Sequence, residues 1–185
     1  MSVKHPVIAV TGSSGAGTTT VKNAFEHLFR RQGVKSVIVE GDAFHRYDRQ
    51  DMKKAVAEAN ERGETLSHFG PEANLFDKIE ELFRSYSETG KGHTRKYLHD
   101  ETEAAPYKQS PGTFTPWEEI ASGSDLLFYE GLHGGVVNDQ VDIARWVDLL
   151  IGVVPIVNLE WIQKIHRDTS SRGYSAEAVT DTILR

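Results

Sequence analysis

Residues 12–19 form a glycine-rich run, Gly-Ser-Ser-Gly-Ala-Gly-Thr-Thr, between an apolar segment and a segment with helical periodicity. Glycines let the backbone fold closely around an anion, and N–H groups at the start of a helix then bind phosphate oxygens. Thr18 stands where the common pattern G-x-x-x-x-G-K-[ST] has lysine, while Thr19 keeps the hydroxyl that ligates Mg²⁺. The run predicts a phosphate-binding loop that takes its cation from elsewhere, and a plain tight turn is the alternative.

A second group of charged residues offers that cation. Lys164, Arg167 and Arg172 fall within nine positions, with Asp168 between them, beside a turn rich in serine and glycine. Fixed positive charges stabilise a phosphoryl group during its transfer, and a closing segment also excludes water. The pattern predicts a lid over residues 164–173, and a solvated helix end with favourable cations is the alternative.

Two carboxylates stand at the ends of segments that read as buried strands. Glu130 lies at the end of segment 125–131, and Asp42 follows segment 34–41. The carboxyl ends of parallel strands meet at one edge of a sheet, so both carboxylates are expected near the glycine-rich run. We interpret Glu130 as a Mg²⁺ ligand, directly or through water, and Asp42 as a general base. A turn carboxylate and a helix cap are the respective alternatives.

Cations follow Asp42 closely in the sequence. His45, Arg46 and Arg49 suit an acceptor that carries its own phosphate, while an exposed charged helix face is the alternative. His99 lies in a separate irregular segment and is a further candidate for the acceptor pocket. His68 and His133 receive no assigned role.

The elements that must position these residues alternate between strands and helices. Apolar β-branched runs predict strands at 7–11, 34–41, 125–131 and 147–155. Helical spacing predicts helices at 18–31, 48–62, 75–86, 158–170 and 176–185, with Asn158 as an N-cap and residues 90–116 irregular. This alternation predicts an α/β fold with a mainly parallel sheet and helices on both faces.

Composition narrows the class of protein. The chain has 185 residues, a net charge of −6 and no cysteine. One domain of that size holds a full core, and the absence of cysteine excludes disulfide scaffolds and thiol chemistry. The acidic balance argues against a nucleic-acid binder, and no run approaches the roughly 18 apolar residues of a membrane span. Met1 to Pro6 lack an apolar signal core, so a cytoplasmic protein is expected.

Segments 10–21, 39–49, 128–133 and 158–168, taken together, resemble the bacterial type of phosphoribulokinase, within the P-loop phosphoribulokinase/uridine kinase family. The resemblance runs through essentially the whole chain, and a phosphate loop without lysine is itself a mark of this branch. It implies a P-loop NTPase-like three-layer sandwich forming one kinase domain, with a phosphate loop at 12–19, an acceptor segment at 40–53 and a lid at 164–173. Members of the family continue past position 185, so the fold is expected to be incomplete at the C-terminus, where the helix at 176–185 stops without a cap.

The resemblance also implies an activity: transfer of the ATP γ-phosphoryl group, with Mg²⁺, to O1 of D-ribulose 5-phosphate, which gives ribulose 1,5-bisphosphate for the Calvin cycle. By matching motif, catalytic roles fall on Asp42, Lys164, Arg167 and Asp168, and sugar-phosphate binding falls on His45, Arg49, Lys53 and His99. Metal binding falls on Thr19 and Glu130. ATP binding falls on Gly12, Ser13, Ser14, Gly15, Ala16, Gly17, Thr18, Thr19, Thr20 and Arg172.

Regulation and assembly are implied in the same way. Bacterial members form large homo-oligomers, with NADH as activator and AMP as inhibitor, and Arg31 is assigned to that effector region. The cysteine switch of the plant form is excluded because the chain has no cysteine. A uridine or nucleoside kinase, a catalytically silent nucleotide sensor and a purely structural fragment remain the alternatives. The cations after Asp42 favour a phosphorylated acceptor over a neutral nucleoside.

Overall fold

The computed structural model describes residues 4–184. Six α-helices, three short 3₁₀ helices and six strands are formed within that range. The strands are β1 (Val7–Thr11), β2 (Ser36–Glu40), β3 (His93–Thr94), β4 (Glu118–Glu119), β5 (Leu126–Gly131) and β6 (Leu149–Gly152). The helices are α1 (Thr18–Gln32), α2 (Arg49–Glu61), α3 (Phe76–Thr89), α4 (Glu101–Ala104), α5 (Val157–Ser170) and α6 (Ala176–Leu184).

A parallel four-stranded sheet organises the fold. Its order is β2-β5-β1-β6, so β5 and β1 are the central strands. Glu130 of β5 pairs with Val10 of β1 on one side and with Glu40 of β2 on the other. The carboxyl ends of these three strands therefore lie side by side. The predicted convergence of the glycine-rich run, Asp42 and Glu130 at one sheet edge follows from this register.

Helices cover both faces of the sheet. On one face, Val7, Leu127 and Tyr129 pack in a buried cluster with Ile79 and Phe83 of α3. The opposite face presents a cluster that contains Val10, Leu126 and Phe128, and apolar residues of α1 pack against it: Val21, Phe25 and Phe29. The α/β class, the parallel sheet and the three-layer arrangement are thereby confirmed.

The boundaries differ from the expected ones in a few places. The strands expected at 34–41 and 147–155 are shorter, at Ser36–Glu40 and Leu149–Gly152. The irregular segment 90–116 contains the short strand β3, which pairs with β4 in a separate two-stranded sheet. The helix predicted at 176–185 is α6, and Arg185 lies outside the described residues.

The prediction of Asn158 as an N-cap was wrong. Helix α5 begins at Val157, after Ile156, whose extended backbone makes it the cap position. The carbonyl of Ile156 already accepts the first helical hydrogen bond, from the Glu160 N–H at 3.1 Å, so Asn158 lies inside the first turn.

The outer strand β6 and the chain after it carry several exposed apolar side chains. Within residues 4–184 these include Leu149, Val154, Ile156, Trp161 and Ile162. None of the helices in that range is long and apolar enough to cross a membrane. The expectation that the family fold continues beyond position 185 stays a prediction.

Candidate active site

A cleft of about 720 Å³ opens at the carboxyl ends of the central strands. The loop after β1, the turn after β2 and the end of β5 line it, together with the last turns of α5 and residues of α2. Predicted site residues in its lining are Gly12, Ser13, Ser14, Gly15, Thr18, Thr19, Asp42, His45, Arg49, Lys53, His99, Glu130, Lys164, Arg167, Asp168 and Arg172. One concave site therefore collects almost all of the candidates.

The glycine-rich run forms the loop between β1 and α1. Gly15 has φ of +103°, a conformation that L side chains rarely adopt. A Cβ there would meet the Glu160 carbonyl oxygen at 2.8 Å and Lys164 Cβ at 2.9 Å, so glycine is what lets α5 pack against the loop. Within the described chain no side chain caps α1, which starts after Gly17, so its first N–H groups remain available to an anion.

Helix α5 brings two cations to the loop, which has no lysine of its own. Lys164 Nζ donates to Ser14 Oγ at 3.1 Å, and Arg167 Nη2 donates to the same oxygen at 3.0 Å. Both cations thus touch the loop directly. Such contacts suit a bound polyphosphate, because its oxygens would attract the same two groups.

Asp168 holds the cations of this segment together. Its carboxylate lies 3.2 Å from Lys164 Nζ, 2.8 Å from Arg167 Nε and 3.4 Å from Arg172 Nη1. Burial acts to raise the pKa of Asp168, but the neighbouring cations hold that pKa below its usual range. Burial lowers the pKa of Lys164, although the Asp168 charge opposes the change. The carboxylate therefore fixes three positive groups beside the loop without neutralising them all.

Thr19 and Glu130 meet on the other side of the loop. Thr19 Oγ1 lies 3.4 Å from Glu130 Oε1, and burial raises the pKa of Glu130. Residues 4–184 contain no group of three ligating His, Asp or Glu side chains. A hydroxyl and one carboxylate nevertheless suit Mg²⁺, which keeps several waters and takes its remaining ligands from substrate phosphates. The residues present therefore fit the metal site that the motif predicted.

Gly41 brings Asp42 close to this site. A Cβ on Gly41 would meet the Tyr129 hydroxyl at 2.5 Å and Gly131 Cα at 3.0 Å. The ends of β2 and β5 can approach one another this closely only with glycine at position 41. Asp42 follows in a short 3₁₀ turn, Gly41–Phe44, that directs the chain along the cleft.

Asp42 lies between two histidines. Its Oδ1 is 3.3 Å from His45 Nε2 and its Oδ2 is 3.4 Å from His99 Nε2, while the side chain remains 45% exposed. Burial acts to raise the pKa of Asp42, but the hydrogen bond and charge of His45, with His99 and Arg172, hold it well below its usual range. Asp42 is consequently an ionised carboxylate at neutral pH and faces the cleft as a proton acceptor.

The remaining acceptor candidates separate into two groups. Arg49 lines the cleft and donates from Nη2 to the His99 carbonyl at 2.8 Å, and Lys53 lies one turn further along α2 at the cleft surface. Arg46 instead donates to the backbone carbonyls of Glu72 at 3.0 Å and Asn74 at 3.4 Å. Arg46 is thus committed to the backbone, and the structure favours Arg49 among the cations that follow His45.

Besides Arg46, four predicted residues lie apart from the cleft lining. Ala16 is a buried residue of the phosphate loop, Gly17 is the cap residue of α1, and Thr20 is an exposed residue in the first turn of that helix. Arg31, the effector candidate, is exposed in the last turn of α1, at the far end of that helix from the loop. Its effector role stays a prediction.

Residues 7–185 match the Phosphoribulokinase / Uridine kinase family. The chain belongs to this family. Its similarity to individual members is high: it is 64% identical over 186 residues to the chromosomal phosphoribulokinase of Cupriavidus necator, covering 100% of this chain and 64% of that protein. It is 60% identical to the phosphoribulokinase of Nitrobacter vulgaris, covering 98% of this chain and 63% of the relative.

A solved structure confirms the fold of this phosphoribulokinase/uridine kinase family member. The phosphoribulokinase from Rhodobacter spheroides superposes with a TM-score of 0.84 at 56% identity, covering 98% of this chain and 62% of that one. The chain spans about 64% of the length of the curated relatives that it matches.

Two residues of this family member escaped the sequence analysis. Asn74 is buried, with Oδ1 2.8 Å from His45 Nδ1. Arg95 donates to the backbone carbonyls of Ala43 at 2.8 Å and His45 at 2.7 Å, while its guanidinium lies 3.6 Å from the centre of the Phe114 ring. Both residues contact His45 from outside the cleft. Neither lies in a recognisable sequence motif.

Proposed function

We propose that this chain carries the catalytic part of an ATP-dependent kinase that phosphorylates O1 of D-ribulose 5-phosphate, giving D-ribulose 1,5-bisphosphate and ADP in the Calvin cycle. One observation carries the proposal. The ionised carboxylate of Asp42 lies between His45 and His99 in the same cleft whose other side holds the glycine-rich loop with Lys164 and Arg167. The high identity to several phosphoribulokinases supports the choice of acceptor.

The donor side would bind ATP through the loop. Backbone N–H groups at the start of α1 and the cations Lys164, Arg167 and Arg172 would hold the phosphates and offset the charge that develops during transfer. Thr19 and Glu130 would hold Mg²⁺, which would neutralise part of the phosphate charge during transfer. Asp168 would keep these cations in place.

The acceptor side would bind and orient the sugar phosphate. His45, Arg49, Lys53 and His99 supply positive or hydrogen-bonding groups for the acceptor's own phosphate and hydroxyls. In the transfer, the bond between O1 and the γ-phosphorus forms, the bond from that phosphorus to the β–γ bridging oxygen breaks, and Asp42 takes the O1 proton. Asp42 is a weak base. A weak base suits a loose transition state, in which the attacking hydroxyl needs little deprotonation before the phosphoryl group reaches it.

Further properties belong to the same proposal. NADH is proposed as an activator and AMP as an inhibitor, acting through a region that includes Arg31. A homo-oligomer in the cytoplasm, without nucleic-acid or membrane partners, is proposed as the working form. Comparing the rate with and without NADH in Arg31→Ala tests the effector role, because the ratio of the two rates should fall toward one.

The function is tested by Mg²⁺-dependent ADP release from ATP with ribulose 5-phosphate, uridine or no acceptor. Release with the sugar phosphate alone is expected; release with uridine alone would replace the acceptor assignment with a nucleoside kinase. Asp42→Asn should lower kcat by about 10²- to 10⁴-fold while ATP still binds. Asp51→Asn, in an exposed ion pair with Lys54, is the control. An Asp42→Asn protein with full activity would contradict the mechanism, and a native chain that binds ATP without transfer would support a nucleotide sensor.

A further inference from the structure

Asn74 is a buried polar residue that contacts the acceptor side from behind. It is 1% exposed and lies in the segment between α2 and α3, where its backbone forms an isolated antiparallel bridge with His45. The side-chain amide has three polar neighbours. Nδ2 lies 3.0 Å from the His68 carbonyl oxygen and 2.8 Å from the Gly70 carbonyl oxygen, and Oδ1 lies 2.8 Å from His45 Nδ1.

These neighbours fix which way the amide points. Carbonyl oxygens only accept hydrogen bonds, so the two carbonyls of His68 and Gly70 require the NH₂ group of Asn74 on their side. The opposite orientation would place an amide oxygen against two carbonyl oxygens in a buried site, at a large cost. The amide oxygen of Asn74 must therefore face His45.

The orientation of the amide sets the protonation of the imidazole. An amide oxygen is an acceptor, so His45 Nδ1 carries a hydrogen and donates it to Asn74. The other nitrogen, Nε2, lies 3.3 Å from Asp42 Oδ1, and a carboxylate also only accepts. A neutral imidazole has one N–H group and cannot donate to both partners, so the two contacts together favour an imidazolium.

We propose that Asn74 is a positioning residue that keeps His45 doubly protonated beside Asp42 at neutral and mildly alkaline pH. The charge state is inferred from the Asn74 hydrogen bond and the Asp42 contact, whereas its consequence for catalysis rests on the proposed function. There, a permanent cation at position 45 attracts the phosphate of the acceptor and orients the ionised Asp42 carboxylate. Asn74 touches neither substrate and acts through His45.

Titratable side chains face His45 from several elements, including Tyr97, whose ring centre lies 6.1 Å from that of His45. Burial acts to lower the pKa of His45, but Asp42 and the Asn74 hydrogen bond raise it overall, against the opposing charge of Arg95. The ring of His68 lies 4.5 Å from that of His45, and burial lowers the pKa of His68 to about 4, so it brings no competing charge. Burial likewise lowers the pKa of His133.

The first test needs no substitution in Asn74. In ¹⁵N-labelled native chain, imidazole nitrogen shifts distinguish protonated nitrogens from bare ones, and the His45 signals are assigned by their loss in His45→Gln. At a pH of about 8, where a free imidazole is neutral, both His45 nitrogens should be protonated. A bare Nε2 at that pH would overturn the proposal, whether or not the protein phosphorylates any sugar.

Two variants then separate the acceptor role of Asn74 from its anchoring of the loop. Asn74→Leu and Asn74→Asp both remove the NH₂ group that binds the His68 and Gly70 carbonyls, but only Asp keeps an oxygen that can accept from His45. The midpoint of the His45 titration should fall by about one pH unit in the Leu variant and stay or rise in the Asp variant. Equal downward shifts in both, or no shift in Leu, would assign Asn74 to loop anchoring alone.

Kinetics supply the catalytic readout. In Asn74→Leu, the KM for ribulose 5-phosphate should be near the native value at a pH of about 6, where His45 is protonated anyway. At a pH of about 8 it should be about twofold higher, because a one-unit fall in the midpoint leaves about half of His45 protonated. For Asn74→Asp, the KM divided by the KM of the native chain should be the same at both pH values. A pH-independent loss in the Leu variant would contradict the proposal. Inactivity of the native chain would contradict the proposed function while leaving the NMR result to decide the charge state.

Discussion

The ammonium of Lys164 donates to the Ser14 hydroxyl at 3.1 Å, although the two residues are 150 positions apart in the chain. Helix α5 thereby places a positive charge against a loop in which Thr18 occupies the position where phosphate loops usually carry a lysine. The arrangement places the cation on a separate element, so its distance to the loop depends on how α5 packs.

We expect Lys164→Met to lower kcat by about 10²- to 10³-fold, because the variant keeps the length of the side chain but removes a charge beside the transferred group. The KM for ribulose 5-phosphate should change less, since Lys164 contacts the loop and not the acceptor side. Steady-state kinetics at saturating Mg²⁺ measure both. Lys54→Met, which removes an exposed lysine paired with Asp51, is the matched control. An unchanged kcat would remove Lys164 from the donor site.

Much of this site could be predicted from the sequence, because its main groups stand at the ends of strands. The glycine-rich run, Asp42 and Glu130 each follow an apolar segment, and parallel pairing alone brings strand ends together. Asn74 and Arg95 could not be predicted in this way. Their roles depend on contacts with His45 across 29 and 50 positions, and such contacts have no local pattern in the sequence.

Boundaries were harder to predict than sites. The preference of asparagine for helix N-caps favoured Asn158, but the cap is Ile156, two positions earlier, and the helix begins at Val157. Arg46 illustrates the same limit for function. The charge of Arg46 suits a phosphate pocket. Its guanidinium, however, already donates hydrogen bonds to the backbone carbonyls of Glu72 and Asn74.

Glu130→Gln should raise the Mg²⁺ concentration needed for half-maximal activity by about tenfold, because a neutral amide binds the hard cation more weakly. Burial raises the pKa of Glu130 above the ordinary value of 4.5. In the native chain the Mg²⁺ requirement should therefore increase as the pH falls toward this raised pKa, because the carboxylate then takes up a proton.

Mg²⁺ titrations of the rate at several pH values test this prediction. The Gln variant should lack the acid-side increase, since it has no carboxyl group at position 130 to protonate. Glu64→Gln is the control, because Glu64 is exposed and paired with Arg62. If Glu130→Gln gave the native Mg²⁺ curve, Glu130 would have no part in holding the metal.

Arg95→Lys should destabilise the fold by about 1–3 kcal/mol, because the ammonium cannot reproduce the two separate donors that reach the Ala43 and His45 carbonyls. It should also lose the stacking of the guanidinium on Phe114. Urea denaturation measures the change. The control is Arg84→Lys, on the exposed face of α3, whose free energy of unfolding should stay within about 0.5 kcal/mol of the native value. Equal effects in the two variants would mean that the Arg95 contacts do not stabilise the turn.

Asp168→Asn should lower the free energy of unfolding because it leaves the cations of Lys164, Arg167 and Arg172 without their shared carboxylate. The pKa of Asp168 is held below its usual value of 3.8 in the folded chain. Its stabilising contribution is therefore complete above that unfolded value and is lost as the pH falls through the lower folded value. Urea denaturation between a pH of about 3 and about 6 should show a native advantage over the variant that shrinks toward the acid end. The control is Asp139→Asn, at an exposed position, whose free energy of unfolding should change with pH as in the native chain. A pH-independent difference between Asp168→Asn and the native chain would show that the ion pairs of Asp168 are not the source of the stability.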